Sequence, residues 1–395
     1  MAPCRLSTAR TTSVERAAPW VPAGSIPVML VIAKIGTSSV TDDAGRLRSD
    51  AIETVAREVA AVHAAGHQVV LVSSGAVAAG LPALGLGGDE RPRDPRVLQA
   101  VASVGQVHLM ERYGAVFGKH HDTVVGQLLV VPTDFGARDK YLHARATLEA
   151  MLELGVLPIV NENDALADDE LRFGDNDRIA ALLAQALAAD VLVLLTDQAG
   201  LLTADPRLDA SASLIEDIAQ VDRELEALAG DSGSNRGTGG MTSKLAAAKM
   251  ATWAGVRTVI AQADRSGVLL DAVTGEPGVG TTVRARQGRL PARKVWIAFA
   301  VGAAGRISVD AGARAALLTG GSSLLPAGVV SADGGFDEGD AVEVADADGA
   351  VFAKGISRIS ASDLLLVAGL RSSQVPADVS PVAIHRDDLV VLPEG

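Results

Sequence analysis

The stretches QVVLV (68–72) and DVLVLL (190–195) decide the fold of this chain of 395 residues. Apart from their first residue, both are apolar throughout, without the alternation of a strand that has one face in water. Strands with apolar side chains on both faces occur in parallel sheets that helices cover on each side. Four more apolar runs of similar length lie at 26–33, 123–131, 156–160 and 256–260.

Between these runs, apolar residues recur at the spacing of amphipathic helices. The helical stretches are 49–65, 95–117, 140–154, 178–189 and 242–254. The alternation predicts an α/β fold over residues 26–265, a three-layer sandwich with a mainly parallel central sheet. Open sheets of this kind bind ligands at the carboxyl ends of their strands, so function is expected directly after the runs.

The sequence changes character after Asp264. Residues 266–292 are rich in Gly, Pro and Arg and are predicted to be a linker. Short strands broken by Gly and Asp turns follow, which predicts a small, mostly β domain over residues 293–375 and a C-terminal segment over 376–395. Its predicted strands are 295–299, 306–309, 341–345, 351–358, 381–384 and 388–392, with one helix at 311–319.

Residues 1–25 are rich in Ala, Ser, Thr, Arg and Pro and show no periodicity. They lack the apolar core of a secretory signal, which favours a disordered leader, or a start codon set too early, over a targeting peptide. Met29 opens the first apolar run and is itself a plausible start.

The composition excludes several classes of protein. The net charge is −13, which disfavours binding through the phosphate backbone of nucleic acid. Cys4 is the single cysteine, so neither a disulfide within the chain nor a cysteine-based zinc site can form. No apolar run reaches the roughly 18–20 residues that cross a bilayer, so no membrane is expected as a partner.

Polar residues follow the first two runs. Lys34 precedes Gly36 and three hydroxyl residues in KIGTSS, a combination that suits an anion but is also a common turn. Ser73, Ser74 and Gly75 lead into a helix, where free N–H groups are available to a ligand. Taken alone, the second pattern is explained better by a serine that merely caps this helix.

Two further clusters, PIVNEND (158–164) and FGDNDRIA (173–180), combine Asn and Asp side chains. These side chains can hold the ammonium and carboxylate of a small zwitterion or orient a lysine. Helix capping by Asp175 or Asp177 accounts for only part of so many polar residues. We therefore interpret the clusters as functional.

The last stretch, GSNRGTGGMTSK (233–244), runs directly into a helix and places Lys244 in its first turn. Glycine amides, a helix N-terminus and a lysine form a site for polyphosphate. The stretch is not a P-loop, because G-x-x-x-x-G-K-[ST] is absent from the chain. Thr196 and Asp197 end a buried strand and are candidates for contact with a ribose or base.

Together these features predict phosphoryl transfer, in which the protein mostly positions groups and neutralises charge. Lys34 and Lys244 are predicted to clamp the transferred phosphoryl group, with Asp177 holding both lysines. Mg²⁺ is expected to neutralise ATP through phosphates and water rather than in a dedicated protein metal site.

The motifs KIGTSS, SSGA, VNEND, GDND, LLTDQAGLLTADP and GTGGMTSK, in this order, resemble the bacterial glutamate 5-kinases of the amino acid kinase family. The resemblance spans roughly 28–264, and VNEND with GDND is its specific part. The remainder, about 293–370, looks like a PUA domain. The fold and reaction that the resemblance implies are those of an ATP-dependent kinase that phosphorylates the side-chain carboxylate of L-glutamate, in the first step of proline biosynthesis.

The resemblance also assigns residues. Lys34 and Lys244 match phosphate-binding lysines, and Ser74, Asp164 and Asn176 match glutamate ligands. The matched ATP site comprises Lys34, Thr196, Asp197, Thr238, Gly239, Gly240, Met241, Thr242, Ser243 and Lys244. Feedback inhibition by proline, a homo-oligomer and a cytoplasmic location are implied as well.

Two alternatives stay open. Another kinase of the same family, for acetylglutamate or UMP, should lack both the VNEND and GDND pair and the PUA-like tail. An RNA-binding protein led by the C-terminal domain would need clustered cations. Residues 289–395 instead carry nine Lys or Arg and thirteen Asp or Glu, so RNA binding is not expected.

Overall fold

The computed structural model describes residues 27–42, 45–86, 92–166, 176–205, 209, 211–231, 240–288 and 290–392. The predicted leader at 1–25 therefore lies outside the described residues. Within these ranges, no helix is both long enough and apolar enough to span a membrane.

The larger part of the chain is built on a sheet of eight strands. The strands are β1 (Leu30–Ile35), β2 (Gln68–Ser73), β3 (Val125–Val130), β4 (Leu157–Glu162), β5 (Val191–Thr196), β6 (Asp217–Ile218), β7 (Arg257–Gln262) and β8 (Gly280–Val283). Their order across the sheet is β3-β4-β2-β1-β5-β7-β8-β6. Every neighbouring pair is parallel except β7 and β8, which confirms the predicted, mainly parallel sheet.

Helices cover both faces of this sheet. They are α1 (Thr37–Val40), α2 (Ser49–Ala64), α3 (Ala76–Ala83), α4 (Pro95–His121), α5 (Arg138–Glu153), α6 (Asn176–Ala186), α7 (Arg223–Asp231), α8 (Met241–Trp253) and α9 (Val268–Thr274). Successive residues of β1 enter different cores: Ile32 packs in the core that includes α6 and α8, and Val31 in the core that includes α2 and α4. This is why the strand sequences are continuously apolar.

The predicted linker at 266–292 is wrong, because it contains α9 and β8, and β8 belongs to the central sheet. Gly267 and Gly275 bound α9 in left-handed conformations, with φ of 76° and 83°. The buried Glu58 carboxylate accepts the backbone N–H of Gly267 at 2.8 Å and that of Leu269 at 3.0 Å. The glycines therefore mark the two ends of a packed helix, not a flexible connection.

A smaller β domain follows, as predicted. Its elements are α10 (Ala292–Val295), β9 (Gly305–Val309), α11 (Ala311–Leu318), β10 (Val329–Gly334), β11 (Ala341–Ala345), β12 (Val351–Ser357), α12 (Ala361–Val367) and β13 (Ile384–Val391). The strands form one sheet in the order β10-β9-β11-β12-β13. Only β9 and β11 are parallel neighbours in it.

Three details of the predicted β domain are wrong. Residues 295–299 are helical, because α10 continues into a π-helical turn at Trp296–Ala300. Residues 381–383 are not in a strand; Ile384 begins β13, which continues through the run predicted at 388–392 as far as Val391. The strand β10 and the helix α12 were not predicted.

The Trp296–Ala300 turn joins the two sheets. Ile297 packs in one buried cluster with Trp253 at the end of α8 and with Ala341, Ile356 and Val390 of the β domain. The Phe299 ring meets Trp253 edge-on at 5.3 Å between centroids. The apolar run at 295–299 predicts a strand because burial between two domains gives the same continuous apolar pattern as burial in a sheet.

Candidate active site

The candidate site lies at the carboxyl edge of the large sheet, where β1, β2, β4 and β5 end side by side. Lys34 is the penultimate residue of β1, Ser74 directly follows β2, and Thr196 ends β5. The N-termini of α6 and α8 bring Asp177 and Lys244 to the same edge. The fold thus gathers the polar ends of strands distant in sequence, as parallel sheets do.

Asp177 is paired with both predicted lysines. Its Oδ1 lies 2.6 Å from Lys34 Nζ, and its Oδ2 lies 3.5 Å from Lys244 Nζ. All three side chains are at least 95% buried. Two cations sharing one anion leave this buried group with a net charge of +1. Such a group attracts an anion that enters from the open edge of the sheet.

The pKa values of this group follow from its surroundings. Burial alone would raise the pKa of Asp177, but the charges of Lys34 and Lys244, aided by Ser243, outweigh it, and the pKa is lowered. Asp177 is therefore an anion at neutral pH. The pKa of Lys244 is lowered, chiefly by burial and further by the charge of Lys34, although Asp177 opposes this.

The first turn of α8 positions Lys244. Gly240 is the N-cap residue, so neither Thr242 nor Ser243 caps this helix. The Ser243 hydroxyl instead lies 2.7 Å from Asp177 Oδ2 and 2.9 Å from the Gly240 carbonyl oxygen. Ser243 thus ties the start of α8 to α6. The helix starting at Asn176 likewise places Asp177 inside its first turn rather than at its cap.

A network of amides occupies the space beside the lysine pair. The backbone N–H of Glu162 donates to Asn161 Oδ1 at 2.9 Å and to Asn176 Oδ1 at 3.0 Å. A backbone N–H can only donate, so these contacts fix the orientation of both side-chain amides. Asn176 Nδ2 in turn donates to Ser74 Oγ at 3.0 Å and to Asn161 Oδ1 at 2.8 Å.

This arrangement leaves the Ser74 hydroxyl as a donor for a ligand. Because Ser74 Oγ accepts from Asn176, its own proton is free to point elsewhere. Asn176 and Asp177 are adjacent in sequence, yet one serves the amide network and the other the lysine pair. The site therefore has a cationic half and a polar, amide-lined half that share the first turn of α6.

Asp164 lies just after β4, in the turn that follows the amide network. Burial, followed by the charge of the neighbouring Glu162, raises the pKa of Asp164 to about 7. A carboxyl group poised in this way is ready to ionise when a cation binds next to it.

The described residues of the predicted nucleotide site include the end of β5 and the first turn of α8. Thr196 donates its hydroxyl to Asp197 Oδ1 at 3.1 Å at the end of β5, and Asp197 is exposed. Met241 is buried and Thr242 is exposed in the first turn of α8. Thr238 and Gly239 lie outside the described residues.

Two residues of the amide network were not among the predicted ligands. Asn161 is part of the VNEND motif, whose composition does not single it out as a ligand. Gln106 lies in α4, and its Oε1 accepts from Asn161 Nδ2 at 2.8 Å. The available signal for Gln106 is a polar residue on the buried face of a helix, three residues before the fully buried Leu109.

The chain belongs to the amino acid kinase family, whose model matches residues 29–262, and a PUA domain model matches residues 305–378. The curated relatives are similar over nearly their whole length. A protein named glutamate 5-kinase from Klebsiella pneumoniae is 43% identical over 368 residues, which cover 91% of this chain and 98% of the relative. Another of that name from Herpetosiphon aurantiacus is 45% identical over 366 residues, covering 92% and 98%.

Among solved structures, a carbamate kinase from Giardia lamblia bound to AMP-PNP matches with a TM-score of 0.48 and 19% identity. The match covers 66% of this chain and 99% of that structure.

Proposed function

We propose that this chain is a glutamate 5-kinase. It transfers the γ-phosphoryl group of ATP to the side-chain carboxylate of L-glutamate, giving ADP and L-glutamyl 5-phosphate, the first step of proline biosynthesis. The observation that carries the proposal is Asp177, which holds two buried lysines next to a network of amides. Curated relatives of that name, similar along nearly the whole chain, support the same substrate.

In the reaction, an oxygen of the substrate carboxylate attacks the γ-phosphorus while the bond from that phosphorus to the β,γ-bridging oxygen breaks. The electron pair of that bond stays on ADP. The carboxylate is already ionised at neutral pH, so no general base is required. The protein's task is to align two anions and to neutralise the charge that spreads over the transferred group.

Lys34 and Lys244 are proposed to neutralise that charge. Each is held by Asp177 before substrate binds, so neither needs to reorganise during the reaction. The N-terminus of α8 adds backbone N–H groups aimed at the phosphates. Thr196, Asp197 and the stretch 238–243 complete the proposed ATP site.

The amide-lined half is proposed to bind glutamate. Ser74 would donate its hydroxyl to one of the substrate oxygens, and Asn176, whose Nδ2 donates to Ser74 and Asn161, would lie beside the substrate and hold Ser74 in place. Asp164 would face the ammonium group, whose charge favours the ionised carboxyl. An acetylglutamate kinase would gain nothing from Asp164, because its substrate carries no ammonium group. This difference favours glutamate over acetylglutamate as the acceptor.

Mg²⁺ is proposed to enter as the complex with ATP. Mg²⁺ is commonly held by one or two carboxylates together with phosphate oxygens and water. Asp177 is engaged by two lysines, which leaves phosphate oxygens and water as suitable ligands. The ion would neutralise part of the triphosphate charge.

An assay of ADP release tests the proposal with glutamate, acetylglutamate, aspartate and UMP as acceptors. Glutamate should be the preferred acceptor by kcat/KM. Absence of turnover with glutamate, or preference for another acceptor, would overturn the proposal. Inhibition by proline, a homo-oligomeric state and a cytoplasmic location stay predictions, the first two testable by proline titration and light scattering.

A further inference from the structure

Gln106 is a buried donor at the amide network that has no partner. Its side chain is 8% exposed, and its Nε2 contacts no hydrogen-bond acceptor within the described part of the chain. Buried polar groups are nearly always hydrogen-bonded, and an exception calls for an explanation, such as a functional role or a partner from outside the protein chain. An unpaired amide inside a substrate site is therefore a candidate contact.

The orientation of this amide follows from the backbone. Because the Glu162 N–H donates to Asn161 Oδ1, Asn161 must present its Nδ2 to Gln106. Gln106 must then accept with Oε1, which leaves both hydrogens of Nε2 without a partner. Flipping Gln106 would set one NH2 group against another, so the free donor is a consequence of the network.

The position of Gln106 also places it beside the predicted substrate residues. The preceding residue, Gly105, lies so close to α3 that an added Cβ would be 1.8 Å from the Ala76 carbonyl oxygen. Ala76 is two residues after Ser74, which is buried and hydrogen-bonded to Asn176. Gln106 and Ser74 thus flank the same pair of asparagines.

We propose that Gln106 is a substrate-binding residue whose side-chain NH2 donates to a carboxylate oxygen of the amino-acid substrate. The inference rests on the proposed function, since glutamate supplies four carboxylate oxygens as acceptors. An NH2 group can pair with an oxygen but not with the ammonium group of the substrate. Gln106 therefore adds selectivity for a carboxylate next to Asn161.

Two variants separate this role from a structural one. Gln106→Glu keeps an oxygen that accepts from Asn161 Nδ2 but replaces the donor with a second oxygen. Gln106→Met keeps the length of the side chain and removes both functions. Ser103→Ala, at an exposed site on the same helix, is the control.

Initial rates are measured with glutamate and with ATP varied in turn, together with thermal unfolding. We expect the KM for glutamate to rise about ten-fold or more in both Gln106 variants, since a hydrogen bond to a charged group is lost. The rise should be larger in Gln106→Glu, whose charge repels a carboxylate, while the KM for ATP changes less than two-fold.

An unchanged KM for glutamate in folded Gln106→Glu would overturn the inference, because that variant retains the bond to Asn161. A rise in Gln106→Met alone would also overturn it, since it would show that Gln106 only supports Asn161. If the wild-type enzyme does not phosphorylate glutamate, the proposed function fails and this inference fails with it.

Discussion

Lys34 Nζ lies 2.6 Å from Oδ1 of Asp177, although Lys34 is near the end of a strand and Asp177 is in the first turn of a helix much later in the chain. Both side chains are almost fully buried. An isolated lysine would not keep its charge in such a place at no cost, and the carboxylate offsets the loss of hydration. The enzyme therefore holds its cations ready at the edge of the sheet.

Replacing either lysine should affect turnover far more than folding. Lys34→Ala or Lys244→Ala is expected to lower kcat by about 10²–10³-fold, the loss typical of one preorganised electrostatic contact. Lys249→Ala is the matched control, because Lys249 lies on the same helix as Lys244 and pairs with Glu226 away from the site. Steady-state kinetics with thermal unfolding checks this. A normal kcat in Lys244→Ala would contradict the clamp.

Removing the shared carboxylate should destabilise the fold. Asp177→Asn leaves two buried ammonium groups without an anion and should cost about 3–5 kcal/mol of unfolding free energy. The folded-state pKa of Asp177 is below its ordinary 3.8, so its stabilisation is fully present above pH 3.8 and is lost as pH falls further.

Urea unfolding of wild type and Asp177→Asn between pH 3 and 7 measures the contribution of the Asp177 carboxylate to the unfolding free energy. The difference in unfolding free energy between wild type and Asp177→Asn should be constant from pH 7 to 5 and should shrink below pH 4. A difference that already shrinks between pH 7 and 5 would show that Asp177 titrates near neutrality, contrary to its pairing with the lysines.

Asp164 should make glutamate binding depend on pH. Its pKa is about 7 in the folded protein, and the substrate ammonium favours the ionised form. The KM for glutamate is therefore expected to fall as pH rises through about 7. In Asp164→Asn the KM should be higher and nearly independent of pH between 6 and 8. If the KM for glutamate in Asp164→Asn changed with pH in the same way as in wild type, Asp164 would be excluded as the titrating group.

The contribution of Asp164 to stability depends on pH in the opposite direction to that of Asp177. Because burial raises the pKa of Asp164 above 3.8, its contribution is fully present below pH 3.8 and is lost as pH rises through about 7. Asp164→Asn should therefore unfold at a higher temperature than wild type at pH 8, and the gap should narrow at pH 5. Thermal unfolding at the two pH values tests the sign.

The contact between α3 and α4 should tolerate no side chain at Gly105. A Cβ there would overlap the Ala76 carbonyl oxygen at 1.8 Å, whereas nothing lies within 4 Å of a Cβ at Gly118 on the same helix. Gly105→Ala is expected to cost about 1–3 kcal/mol or more and to raise the KM for glutamate by moving Ser74. Gly118→Ala should instead raise stability by roughly 0.5–1 kcal/mol. Equal stability of the two variants would contradict the packing.

The C-terminal domain should bind RNA weakly or not at all. Its acidic residues outnumber its basic ones, and five arginines lie in ion pairs with nearby carboxylates: Arg293, Arg306, Arg314, Arg358 and Arg386. Binding that depends on phosphate contacts needs free cations. Fluorescence anisotropy of a labelled RNA hairpin with the full-length chain, at low and physiological salt, tests this. Tight binding that weakens steeply with salt would prove the prediction wrong.

The periodicity of the sequence predicted most of the large sheet, because five of its strands (β1, β2, β4, β5 and β7) are buried along most of their length and are therefore mainly apolar. The prediction failed at 266–292, because the glycines at the two ends of α9 are also typical of a flexible linker. It failed again at 295–299, where an apolar run lies between two domains instead of in a sheet. In both places the local pattern is compatible with two structures, and only packing decides between them.

The sequence by itself determined which apolar runs form most of the large sheet, the glycine-rich approach to Lys244 and the residue types that suit phosphoryl transfer. Only the tertiary structure decided that Asn176 faces the asparagine network while Asp177 pairs with the lysines. It alone brought Gln106 to Asn161. The reason is physical: periodicity records which side chains avoid water, whereas the partner of a buried polar group depends on the direction of its hydrogen bonds in the assembled fold.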